Sequence, residues 1–125
     1  MKKANKVEEQ IAADEAEMRS LTTGEVLRAK KLSPLVMVRS PSAGNHTGYL
    51  VRVNEQARCA EILEGSNLWR WSGRNSLREV CLYGIPPQEA RVSEIVPGTY
   101  VVYDIAEILP VSKEAEKSLR TPVWT

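Results

Sequence analysis

From Pro34 onward the apolar residues of this chain fall into short runs, each closed by a turn signal, and this punctuation limits the fold more than any other feature. Runs so short, rich in Val, Ile, Leu and Tyr and bounded by Gly, Pro, Asn and Ser, predict strands joined by tight connections. Leu35 to Val38 is a compact apolar run that ends at Arg39, and Tyr49 to Val53 is a second. Arg58 to Leu63 is a third, with Cys59, Glu61 and Leu63 on one parity and Ala60 and Ile62 on the other. A short turn at Asn54-Glu55-Gln56 joins it to the run before. Leu68 to Trp71 and Ala90 to Val96 give two more, the latter with Val92 and Ile95 directed inward. After the Pro97-Gly98 turn signal, Tyr100 to Leu109 is the longest β-like run, in which Val102, Asp104, Ala106 and Ile108 alternate with Val101, Tyr103, Ile105 and Glu107.

Helical patterns lie around and between these runs. Ser76 with Glu79 has capping-box spacing and predicts a helix over Leu77–Tyr83 that buries Leu77, Val80 and Cys81 and is stopped by Gly84 and Pro86-Pro87. Ser112 caps a second helix, Lys113 to Leu119. Ahead of Pro34, Val7, Ile11, Met18 and Leu21 form a narrow helical stripe, and Val26, Leu27, Ala29 and Leu32 follow the capping-box spacing of Thr22 and Glu25. A stripe so narrow needs a neighbour, either its own domain or the same helix of a second subunit. The expected architecture is α+β: a mostly antiparallel sheet of five or six strands with short helices over residues 34–125, carrying an N-terminal helical extension over residues 1–33 that serves packing or oligomerisation.

Composition narrows the function. Seventeen basic residues against sixteen acidic leave a net charge of +1, too balanced for duplex nucleic-acid binding, whereas a small anion held by two or three arginines fits. No run approaches the length of a membrane span, and Cys59 and Cys81 lie in separate apolar stretches, so the expected protein is soluble and intracellular with buried thiols. His46 is the single histidine, no serine or cysteine has a nucleophile's surroundings, and the two separated cysteines make a poor metal set. No enzyme, metal or cofactor is expected.

Three features remain for binding. Trp69-Arg70-Trp71 in a strand would put both indoles on one face, as a platform for a base or as the core of a domain that has no Phe. Arg39 leads into Ser40–Gly48, whose Ser42 and His46 sit among small residues with free backbone N–H groups suited to an anion, or which simply connect two strands. Arg74 precedes a helix start and can join its N–H groups around a phosphate, or be an exposed side chain.

The stretch Val36–Gly48 resembles the VxVRTYSAGVHxG opening of a family of small proteins common in tailed-phage and prophage genomes. Leu68–Leu77 resembles that family's IWYWKGAxSL centre, Ile105–Pro110 its AxEIIP element, and the Pro122-Val123-Trp124 ending also fits. The chain departs from it at Gly65-Ser66-Asn67, where the family has Ala-Arg-Arg, and at Arg70, so an anion-holding role there passes to Arg70 or Arg74. The family is in turn similar to phage Thoeris anti-defence sponge proteins, oligomers that sequester cyclic nucleotide-like immune signals without cleaving them. The resemblance implies a homo-oligomeric protein of the host cell cytoplasm that holds a nucleotide-derived signalling molecule through Arg39, Ser42, His46, Asn67, Trp69, Arg70, Trp71 and Arg74. The alternative expectation is a phage protein–protein interaction module, a host-factor inhibitor or virion accessory protein, in which the indoles are core.

Overall fold

The structure, a computed structural model, describes residues 34–123. The N-terminal helical extension expected over residues 1–33, and Trp124, lie outside the described residues. In chain order the elements are β1 (Leu35–Ser40), β2 (Gly44–Asn54), β3 (Cys59–Trp71), α1 (Leu77–Tyr83), a 3-10 turn (Pro87–Glu89), β4 (Ala90–Val92), β5 (Thr99–Val102), β6 (Glu107–Pro110) and α2 (Lys113–Leu119). The described residues are thus mostly β, six antiparallel strands with two short α-helices.

The sheet runs β4-β3-β2-β1-β6. One edge of β3 is shared, β5 pairing with Ala60–Leu63 and β4 with Leu68–Trp71. Val123 bridges to the free side of β4 at Val92, which ties down the chain after α2. Alternation along β1 sends Met37 to one face and Val36 and Val38 to the other. The Met37 face is covered by α1 and α2, whose Leu77, Val80, Cys81, Ala115 and Leu119 pack on Leu68 and Val92. The opposite face packs Val36, Val38 and Ile62 with Val102, Tyr100, Ile105 and Ile108. Both faces are therefore covered, and β3 is buried almost continuously from Cys59 to Leu68. Both cysteines are buried thiols that form no disulfide among the described residues.

The helix bounds agree with the sequence reading, and the strand bounds do not in four places. The segment Ser40–Gly48 is not a loop. Only Pro41–Ala43 turns, Gly44 at φ +87 reverses the chain, and Gly44–Gly48 pairs with β1. Its backbone groups are committed to the ladder and are not free for an anion. The two runs Arg58–Leu63 and Leu68–Trp71 form one strand, because a bulge at Glu64 (φ +52) carries the chain past Gly65 and Ser66 while pairing to β2 continues. The strand expected over Ala90–Val96 stops at Val92, since Ser93 turns its hydroxyl to the Asn67 amide, 2.7 Å away. The run Tyr100–Leu109 is broken at Asp104 (φ +57), which separates β5 on one side of the sheet order from β6 on the other.

Candidate functional site

Ser76 caps α1 by accepting the Glu79 amide at 3.4 Å, while Glu79 Oε2 accepts the Asn75 amide at 2.7 Å. The helix buries Leu77, Val80 and Cys81 and leaves Leu82 and Tyr83 about half exposed at its end. Gly84 stops it at φ +77, donating to the Val80 carbonyl at 2.8 Å. A β carbon at Gly84 would lie 2.5 Å from Ser118 Oγ and 3.2 Å from Ala115 Cα, so the two helices meet closely there only because residue 84 is glycine. Two serines lock the contact. Ser112 Oγ donates to the Leu82 carbonyl at 2.5 Å while accepting the Ala115 amide, and Ser118 Oγ accepts the Ile85 amide at 3.0 Å.

Beside this junction is an open groove of about 710 Å³, lined by Tyr83, Pro86 and Pro87 on one side and Lys117 and Thr121 on the other, with Arg74 at its edge. That volume is in the range of small-molecule sites. Arg74 is fixed by its Nε–H, which donates to the Gly84 carbonyl at 2.9 Å, and its guanidinium lies over the exposed Tyr83 ring, 5.7 Å from the centroid. The Tyr83 ring and the prolines offer a stacking surface, and Arg74 and Lys117 supply positive charge. The lining contains one carboxylate, Glu114, with no histidine or cysteine.

The other residues expected to bind are not gathered here. Trp69 is 53% exposed, whereas Trp71 is partly buried and packs against the core cluster that the helices cover. The expected shared face of the two indoles is lost because the β3–β4 register slips between Leu68 and Arg70. Arg70 stands opposite Arg91 of β4. Arg39 donates to Glu107 at 2.9 Å, and Glu107 also takes Arg78 at 2.8 Å. Ser42 lies on the exposed turn, its hydroxyl 3.5 Å from that of Ser40.

His46 and Asn67 do come together, as register partners of β2 and β3. His46 Nε2 faces the Ala43 carbonyl at 2.7 Å, which can only accept, so Nε2 carries the proton and Nδ1 accepts from the Tyr100 hydroxyl at 2.8 Å. Both ring nitrogens thus hold the β1–β2 turn against β5. Burial pushes the Tyr100 phenol up to about 12, with Arg120 opposing the shift. Asn67 Oδ1 is buried and has no hydrogen-bond partner among the described residues.

Sequence reasoning missed Tyr83, Lys117 and Arg91. Tyr83 was legible only as the last residue of a helix, and Arg91 carries no signal until its register against Arg70 is known. Among the described residues no group of three or more His, Cys, Asp or Glu side chains is placed to hold a metal ion, and no helix is long and apolar enough to cross a membrane.

Residues 33–119 match a family model described as a domain of unknown function, DUF6948, which takes in every element from β1 to α2. No curated protein and no solved structure matches the chain.

Proposed function

The chain belongs to the DUF6948 family, and we propose that this member is a binding protein that sequesters a nucleotide-derived signal without cleaving it. The observation that carries the reading is the groove between α1 and α2, where Arg74 lies over the exposed Tyr83 ring. A base stacks against Tyr83 and the Pro86-Pro87 pair, and a phosphate takes Arg74 and Lys117. Retention without cleavage fits a lining with one carboxylate and no histidine or cysteine. The phage anti-defence setting, the host cytoplasm and the homo-oligomer belong to the same proposal and draw on the family resemblance of residues 34–124. In this reading the stacking role moves from Trp69 and Trp71 to Tyr83.

The test is to incubate the purified protein with a panel of cyclic and linear nucleotides, remove unbound ligand, heat the protein and analyse what is released. Intact ligand is expected. Tyr83→Ala and Arg74→Ala should each weaken retention at least about fivefold, the loss expected for one stacking or charged contact. Altered ligand would make the protein an enzyme, and no depletion of any nucleotide overturns the reading. The second reading, a protein–protein module, is favoured by Leu82 and Tyr83, which are 52% and 53% exposed beside the groove. A partner captured through Leu82, with no nucleotide retained, would support it.

A further inference from the structure

Arg70 and Arg91 face each other as Cα partners of β3 and β4. Side chains at such positions leave the sheet on the same face, with β carbons about 4.5–5.5 Å apart, and like charges there repel. Neither guanidinium forms an ion pair with another described residue. Arg91 donates to the carbonyl of its own neighbour Ala90 at 2.7 Å, and Arg70 is exposed. Glu89 lines the same recess without an ion pair to either of them: a β carbon on Gly73 would fall 2.0 Å from Glu89 Oε2, so this carboxylate rests against the Gly73 backbone. With Ser72 and Gln88 these side chains line a pocket of about 120 Å³. That is the room of about four water molecules, enough for one tetrahedral oxyanion and too small for a base.

We propose that Arg70 and Arg91 form a phosphate-binding site for the phosphoryl group of a small molecule. Two planar guanidinium forks present four or more N–H donors and a charge that matches a phosphate dianion. The Ser72 hydroxyl and the Gln88 amide add neutral donors for a further oxygen. Glu89 lines the same pocket and opposes the anion, which sets a moderate affinity. Bound phosphate also removes the cross-strand repulsion, so it stabilises the β3–β4 pair as well as filling the pocket. The site shares no lining residue with the α1–α2 groove, so it stands or falls independently of the nucleotide reading.

Inorganic phosphate is the probe, titrated at constant ionic strength while the arginine Nε–Hε signals are followed by NMR. The wild-type protein should show saturable shifts at Arg70 and Arg91. Arg70→Gln and Arg91→Gln should each weaken binding about tenfold, as expected for loss of a charge-assisted pair. Arg78→Gln, an exposed arginine elsewhere, should leave it unchanged. In phosphate-free buffer Arg70→Gln should melt no lower than wild type, because one of two repelling charges is gone, and added phosphate should raise the melting temperature of wild type alone. Linear shifts without saturation, or saturable binding that survives both substitutions, would overturn the proposal. A folded-state spectrum of each variant separates lost binding from lost fold.

Discussion

Arg120 stands just beyond the last turn of α2, yet its guanidinium reaches the middle of the sheet. It donates to the Thr47 carbonyl at 2.9 Å, to Ser66 Oγ at 3.3 Å and to the Glu64 carbonyl, and it lies over the Tyr49 ring at 5.6 Å. The reason is the β3 bulge. Where Glu64 adopts φ +52 the β2–β3 register shifts, and the Thr47 and Glu64 carbonyls beside the shift both accept from Arg120. A buried carbonyl without a donor costs free energy, and a planar fork with several donors can serve carbonyls on two strands at once. Burial pulls the Arg120 guanidinium below the usual arginine range, against the opposing pull of Tyr49 and Glu64. Arg120→Ala should therefore cost about 2–4 kcal/mol in urea unfolding, because it takes a part-buried donor away from three acceptors rather than removing a surface charge. Arg120→Lys should resemble Arg120→Ala more than wild type. A lysine variant as stable as wild type would show that charge alone suffices. By contrast Arg39, which shares the partly exposed Glu107 with Arg78, contributes within the small range of surface ion pairs.

The helices were legible to the residue because their boundaries are written in local chemistry. Ser76 and Ser112 accept the amides three residues on, and Gly84 closes α1, so each limit depends on side chains within one turn. The strands were less legible because their limits depend on partners far along the chain. Gly65-Ser66-Asn67 has no apolar pattern and reads as a gap, but it is the centre of the longest strand. Its small residues admit Tyr100 beside Gly65 and Arg120 against Ser66. The groove was hidden for the same reason. It is assembled from the end of α1, a Pro-Pro pair that signals only a helix stop, and α2, and no single segment announces it. A β carbon at residue 65 would sit 2.4 Å from the Tyr100 ring and hydroxyl. Gly65→Ala should thus force Tyr100 off His46 and destabilise by about 1–3 kcal/mol, the usual cost of overpacking. In a Tyr100→Leu background the same substitution should cost clearly less. Equal cost in both backgrounds would place the strain elsewhere.

The sheet is a partition between two packed faces, and a buried acid that keeps its proton unusually well is found on each. Beneath the helices, burial pushes the Cys81 thiol up to about 11, with the Glu107 charge adding to the effect. On the other face the Tyr100 phenol is held at about 12, chiefly by burial. In the unfolded chain these groups return to about 9.0 and 10.0. Each folded value is raised, so the folded protein binds these protons more tightly than the unfolded one. The stability they contribute is complete below pH 9 and is lost as pH rises towards 11 for Cys81 and towards 12 for Tyr100. Because β3 belongs to both faces, ionising either group undermines the same strand, and a domain of this size should respond as one cooperative unit. Urea unfolding at a series of pH values should accordingly show a steady fall above pH 9 in a single transition by both tryptophan fluorescence and far-UV circular dichroism. Cys81→Ala should delay the onset of the fall, and Tyr100→Phe should flatten its upper part without moving the onset. Stability unchanged between pH 8 and 11 would show that neither proton is held by the fold, and two separated transitions would show that the faces unfold independently.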